Sequence, residues 1–194
     1  MEFNPNFKPG ILEMFTGPMK SGKSLELIQR VERLKYMTGI DIAFFKPKID
    51  TRDKNLVSRF SDNGYDCVFV SSSRDILDNL DDEKVVVIDE AQFFDEDLFD
   101  VVKYLLSEEY NVIVAGLDLD FRGEPFGPVP SLLALANEVK KLSGICDFKE
   151  CNNPAYFTQR LINGDPARYD SPTILIGDSD HYETRCRKHH FVPR

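Results

Sequence analysis

Eight residues, Gly17 to Ser24, read G-P-M-K-S-G-K-S and constrain the architecture more than any other stretch of the chain. The apolar run "ILEMF" (11–15) precedes them. "SLELIQRVERLKYM" (24–37) follows, with Leu27, Val31, Leu34 and Met37 recurring near the helical period. A strand that passes through a glycine-rich turn into a helix aims consecutive backbone N–H groups at one point, and the positive end of the helix adds to them. Glycine is needed there because a Cβ would block the tight turn or an incoming phosphate. The pattern predicts a phosphate-binding loop formed by Gly17, Pro18, Met19, Lys20, Ser21, Gly22, Lys23 and Ser24. Lys23 can reach the terminal phosphates of a nucleotide, and the Ser24 hydroxyl can join a magnesium shell.

The same alternation continues to about residue 142. "IDIAFFKP" (40–47), "CVFV" (67–70), "VVVID" (85–89) and "NVIVAGL" (111–117) read as strands. Helical candidates lie at 73–80 and 96–109, and residues 48–64 are polar and irregular. Strands apolar on both faces, alternating with helices, predict an α/β fold with a mostly parallel sheet covered on both sides. Residues 1–10 read as a loose arm, residues 11–142 as the phosphate-loop domain and residues 143–194 as a second, smaller unit. That last stretch holds three of the four cysteines and all three histidines, but no run apolar enough for a large core. Something other than hydrophobic burial is expected to hold it together.

Charge excludes one class of partner. Residues 1–142 carry 17 Lys and Arg against 26 Asp and Glu, while residues 143–194 carry seven of each. With no basic face, binding to DNA or RNA is not expected, whereas a small phosphorylated ligand needs only a local site. No run is long enough to span a bilayer, and the N-terminal residues lack the blocks of a secretory signal, so a cytoplasmic location is expected.

"VVVIDEAQFF" (85–94) places Asp89 at the C-terminal end of a buried strand, where ligands gather in such sheets. A carboxylate there can orient magnesium. The adjacent Glu90 suits a general base toward an acceptor hydroxyl, or a group that polarises water in an ATPase, and the residues leave both open. Further on, "CDFKEC" and "CRKH" supply Cys146, Cys151, Cys186 and His189 as two spaced pairs separated by 34 residues. Three thiolates and an imidazole suit a closed, structural tetrahedral zinc site. His190 is the alternative fourth ligand, and Cys67 reads as a core thiol.

With these residues in hand the chain closely resembles the thymidine kinases of the cytosolic, zinc-containing type, from about Ile11 to His190. The resemblance rests on "GPMKSGKS", "KPKIDTR", "DEAQFF", "LDLDFRGEPFG", "AYFTQRL" and "CRKHH" in this order. It implies a RecA-like P-loop nucleotide-binding fold with a small C-terminal zinc-binding lasso that covers the nucleoside. ATP, Mg²⁺ and structural Zn²⁺ are the implied cofactors. Glu90 would be the catalytic base for the 5′-hydroxyl of thymidine or deoxyuridine, with Lys23 and Arg52 as the other catalytic residues. Asp50 would join Ser24 and Asp89 around magnesium, and Gln92 would lie with Asp89 on the nucleotide side.

The remaining motifs resemble a nucleoside pocket. Met19, Phe93, Leu117, Phe121 and Phe126 would line it, and Thr158 would contact the base edge. "TILIGDSDHY" (173–182) would close over thymidine, with the backbone at Ile174 and Gly177 reading the base and Tyr182 near the sugar. A homotetramer and feedback inhibition by thymidine triphosphate are implied by the family alone. A broader deoxynucleoside kinase, and less directly a RecA-like ATPase, are the competing readings. Two departures stand out. Cys146 and Cys151 are spaced C-x4-C where C-x2-C is usual, with Phe148 in the more usual ligand place, and Asp178 follows Gly177 where many members have a second glycine.

Overall fold

Apolar residues on both faces of successive strands require helices on both sides, and the computed structural model has this arrangement. It describes residues 10–34, 36, 40–48, 67–174 and 180–194; Asp50, Arg52, Gly177 and Asp178 lie outside the described residues. Six strands, β1 (Leu12–Thr16), β2 (Ile42–Pro47), β3 (Cys67–Val70), β4 (Val85–Ile88), β5 (Asn111–Gly116) and β6 (Glu138–Lys141), pair in the order β3-β2-β4-β5-β1-β6. Every pairing in this sheet is parallel.

The two-residue period of a strand divides the side chains between two cores. Leu12, Met14 and Phe45 point into one, packed by Leu98, Val102 and Leu105 of helix α3 (Leu98–Ser107) and Leu132 of α4 (Val129–Leu135). Phe15, Phe44 and Val87 point into the other, packed by Leu27, Val31 and Leu34 of α1 (Lys23–Leu34). Each such side chain contributes roughly 1.5–3 kcal/mol through burial. Glu13 falls on the α1 side among apolar neighbours, and a bidentate pair with Arg30, both contacts at 2.6 Å, compensates its charge.

The helix expected over 73–80 shrinks to α2 (Asp75–Asp78). Asp75 accepts from the Ser71 and Ser72 backbone N–H groups at 2.9 and 3.1 Å, and Asn79 donates back to the Asp75 carbonyl at 2.7 Å. These local bonds close the segment as a turn. Two elements were not expected. α4 hides behind Pro128 and Pro130, and β6 is a polar edge strand whose Glu138, Lys140 and Lys141 show no alternation.

After β6 the chain builds smaller sheets. β7 (Gly144–Ile145) pairs with β8 (Pro154–Ala155), and β9 (Phe157–Ile162) lies between β10 (Asp165–Pro166) and β11 (Asp180–Arg185), all antiparallel. The buried cluster among these short strands consists of Cys146, Ala155 and Cys186, with Cys151 against it. Gln159 of β9 bonds both backbone groups of Phe191 at 2.9 Å and ties down the C-terminal tail. No helix among the described residues is long and apolar enough to cross a membrane.

Candidate active site

The loop between β1 and α1 turns so tightly that Gly17 takes a φ of 141°, and a Cβ there would stand 2.4 Å from the Leu142 carbonyl oxygen. Lys20 also adopts a left-handed φ of 59°. Lys23 is buried at the start of α1, and its Nζ donates to the Pro18 carbonyl at 2.8 Å. Burial lowers its pKa below the ordinary lysine value, against the opposing pull of Glu90, Asp89 and Asp118. Ser21 Oγ is buried with no hydrogen-bond partner. A buried ammonium, an unpaired hydroxyl and a turn closed to any Cβ fit an anionic phosphate group.

Two carboxylates leave the end of β4 in different directions. Asp89 sits in the sheet, with Lys46 Nζ 3.1 Å from its Oδ2 and both side chains almost wholly out of solvent. Its Oδ1 accepts from the Glu90 backbone N–H at 2.9 Å. Glu90 has a φ of 55°, which a non-glycine residue adopts only at a cost of about 1–3 kcal/mol, and such residues concentrate at functional sites. The turn aims the Glu90 carboxylate away from Asp89 toward a cavity. There Gln92 Nε2 donates to Glu90 Oε2, while Gln92 Oε1 accepts from the Leu117 backbone N–H at 2.9 Å. Gln92, expected on the nucleotide side, thus anchors Glu90 to the strand-end backbone of β5.

That cavity measures about 540 Å³ and joins the two halves of the expected site. Lys20, Gly22, Lys23 and Ser24 of the loop line it together with Met19, Glu90, Gln92, Phe93, Leu117, Phe121, Phe126, Thr158 and Tyr182. Phe93 and Phe126 meet edge to face, with centroids 5.8 Å apart. Phe121 is held under the guanidinium groups of Arg122 and Arg160, 4.8 and 5.4 Å from its centroid. Ile174 is half-buried, and its neighbour Thr173 lines the cavity instead. Sequence reasoning missed Asp120, which also lines the cavity, and Lys46 behind Asp89. Both lie inside quoted motifs, and a lysine on an otherwise apolar strand was the available signal for Lys46.

The second site assembles as expected from its four residues. The ligand atoms of Cys146, Cys151, Cys186 and His189 all lie within 4.8 Å of one another. His189 Nδ1 is 3.4 Å from Cys186 Sγ and 3.7 Å from Cys146 Sγ, and the sulfurs of Cys151 and Cys186 are 3.9 Å apart. A tetrahedron with zinc–sulfur bonds of about 2.3 Å and zinc–nitrogen bonds of about 2.0 Å has edges of roughly 3.5–3.8 Å. The donor set and its dimensions therefore fit a metal ion. The unusual C-x4-C spacing closes because Glu150 takes a left-handed φ of 62° and the Cys151 N–H returns to the Phe148 carbonyl at 2.9 Å. Burial opposes the Cys186 thiolate, but the backbone N–H groups of Lys188 and His189 together with the thiols of Cys146 and Cys151 lower its pKa. Phe148 stacks on the His189 ring, with centroids 4.1 Å apart. His190 turns the other way. It stacks on Phe157 and donates Nε2–H to the Phe121 carbonyl at 2.9 Å.

A glycine-rich loop at the end of β1, an acidic pair at the end of β4 and a cavity lined by the loop and by Glu90 belong to an α/β protein built on a parallel sheet. A family model described as thymidine kinase matches residues 10–190. A thymidine kinase of Coprothermobacter proteolyticus is 52% identical over 186 residues, covering 95% of this chain and 92% of that one. The chain belongs to the thymidine kinase family. Among solved structures, the flagellar accessory protein FlaH of Methanocaldococcus jannaschii superposes with a TM-score of 0.51 at 10% identity, covering 76% of each chain. That likeness is one of fold alone.

Proposed function

We infer that this protein is an ATP-dependent thymidine kinase, which transfers the γ-phosphoryl group of ATP to the 5′-hydroxyl of thymidine. The observation that carries the reading is the shared cavity, which Glu90 lines together with residues of the glycine-rich loop and with Phe93, Phe121 and Phe126. The phosphate loop binds the triphosphate and Lys23 offsets charge on the transferring group. Phe93, Phe121 and Phe126 supply flat apolar surface for a pyrimidine. Glu90 takes the proton of the 5′-hydroxyl as its oxygen attacks phosphorus and the bond to ADP breaks, so thymidine monophosphate and ADP leave. Ser24 and Asp89 are the residues that would hold magnesium, which neutralises phosphate charge when bound. Thr158 Oγ1 accepts from the Met19 N–H at 3.0 Å, so its own proton is free to meet an acceptor on the base edge.

The corresponding architecture is a RecA-like domain over residues 11–142 and a zinc-binding lasso over 143–194 that covers the nucleoside. The metal-sized Cys/His cluster and the end of the parallel sheet at Lys141 support it. Family membership supports a homotetramer and feedback by thymidine triphosphate. The test is ADP release across a panel of nucleosides, in the wild type and in Glu90→Gln. Thymidine should give the highest rate, deoxyuridine a lower one, and the variant should lose at least about 100-fold in turnover while still binding ATP. ADP formed without any nucleoside and increased by single-stranded DNA would overturn the kinase reading.

A further inference from the structure

The loop that cradles phosphate is held at its apex by the C-terminal sheet. Met19 lies midway along the loop, and both of its backbone groups are bonded across more than a hundred residues of sequence. Its N–H donates to Thr158 Oγ1 at 3.0 Å, and its carbonyl accepts from Thr184 Oγ1 at 3.0 Å. Thr158 and Thr184 are direct cross-strand partners on β9 and β11, and both are buried. They form a two-pronged clamp on one residue.

Thr184 is itself fixed from behind. Its N–H donates to Asp147 Oδ2 at 2.8 Å, and the Asp147 N–H returns to its carbonyl at 2.8 Å. Asp147 follows Cys146 directly, so the first knuckle of the Cys/His cluster braces the clamp. The fit behind it is tight, since a Cβ on Gly144 would stand 2.7 Å from Thr184 Cγ2. A trans peptide is planar, so gripping the Met19 carbonyl also fixes the direction of the Lys20 N–H in the same unit. Thr184 therefore sets the aim of one N–H in the phosphate cradle.

We propose that Thr184 is a positioning residue for ATP, acting through the Met19 carbonyl to hold the phosphate loop in its binding shape. The inference rests on the kinase reading for its substrate. Met19 itself lines the cavity that the loop shares with Phe93, Phe121 and Phe126.

The experiment is calorimetry of a non-hydrolysable ATP analogue with magnesium, without nucleoside, on metal-replete wild type, Thr184→Val and Thr184→Ser. Removing the hydroxyl should weaken analogue binding about tenfold, and serine should restore it to within about twofold. In steady-state assays KM for ATP should rise while kcat at saturation changes by less than about threefold. Metal content should stay unchanged in both variants. Valine binding the analogue like the wild type would overturn the proposal, and so would serine binding it as weakly as valine. If valine does not fold, Thr184→Ala, which removes both branches of the side chain and adds no bulk, carries the same comparison. Wild type that binds the analogue but phosphorylates no nucleoside would sink the kinase reading alone.

Discussion

Gln92 holds Glu90 with one end of its amide and the Leu117 backbone N–H with the other, while itself almost fully buried. The amide ties a carboxylate in a strained left-handed turn to the end of β5, so it contributes to the direction in which Glu90 points. Gln92→Ala should lower kcat by about 10- to 100-fold, because the base contributes only when positioned within hydrogen-bond reach. ATP-analogue affinity should change by less than about twofold. Pre-steady-state phosphoryl transfer and calorimetry separate the two effects, and a large loss of ATP affinity would instead place Gln92 on the nucleotide.

Lys46 and Asp89 form an ion pair almost wholly out of solvent. Removing one partner from such a pair strands a buried charge and costs about 3–5 kcal/mol, whereas removing both costs less. Lys46→Met should therefore destabilise the protein by about 3 kcal/mol in urea unfolding. Adding Asp89→Asn should recover part of that loss. Strictly additive losses would mean that the two charges do not sense each other.

Lys23 makes the phosphate loop costly to keep without its ligand. Its folded pKa lies below the unfolded value of 10.5 because burial disfavours the charge. Between those two pKa values the unfolded chain holds more protons, so stability rises with pH through that window. Below it the penalty is fully present. Lys23→Met should therefore raise the melting temperature of the ligand-free protein at pH 7, with the gap narrowing as pH approaches 10.5. The same change should weaken ATP binding on the order of 100-fold. A variant less stable than wild type at neutral pH would show that the bond from Lys23 Nζ to Pro18 outweighs desolvation.

Local chemistry decides what the sequence could reveal. The tight turn between β1 and α1 was legible because close backbone packing at Gly17 demands glycine and the helical period after it is regular. The central strands were legible because Val85 to Ile88 and Val112 to Ala115 are buried on both faces. β6 was not, since an edge strand paired on one side needs no apolar alternation. The clamp on Met19 was equally hidden. Two buried threonines on short strands carry no local signal, and only the fold brings them to the loop. The roles of Gln92 and Lys46 depend on distances across the sheet, which spacing along the chain does not encode.

His189 and His190 are adjacent yet face different structures, which allows the proposed metal site and the proposed nucleoside pocket to be tested separately. His189 Nδ1 lies within 3.7 Å of two cysteine sulfurs, whereas His190 supports Phe121 through its carbonyl. The hydrophobic cluster among the described short strands is small, Cys146, Ala155 and Cys186, so a bound ion would add to what holds them. His189→Ala and Cys186→Ser should each lower zinc from about one per chain toward zero and lower the melting temperature. His190→Ala should keep its zinc but weaken thymidine binding about five- to tenfold, through loss of one hydrogen bond behind Phe121. Metal analysis by plasma mass spectrometry reads the first effect and calorimetry with thymidine the second. Zinc retained in His189→Ala but lost in His190→Ala would reverse the ligand assignment.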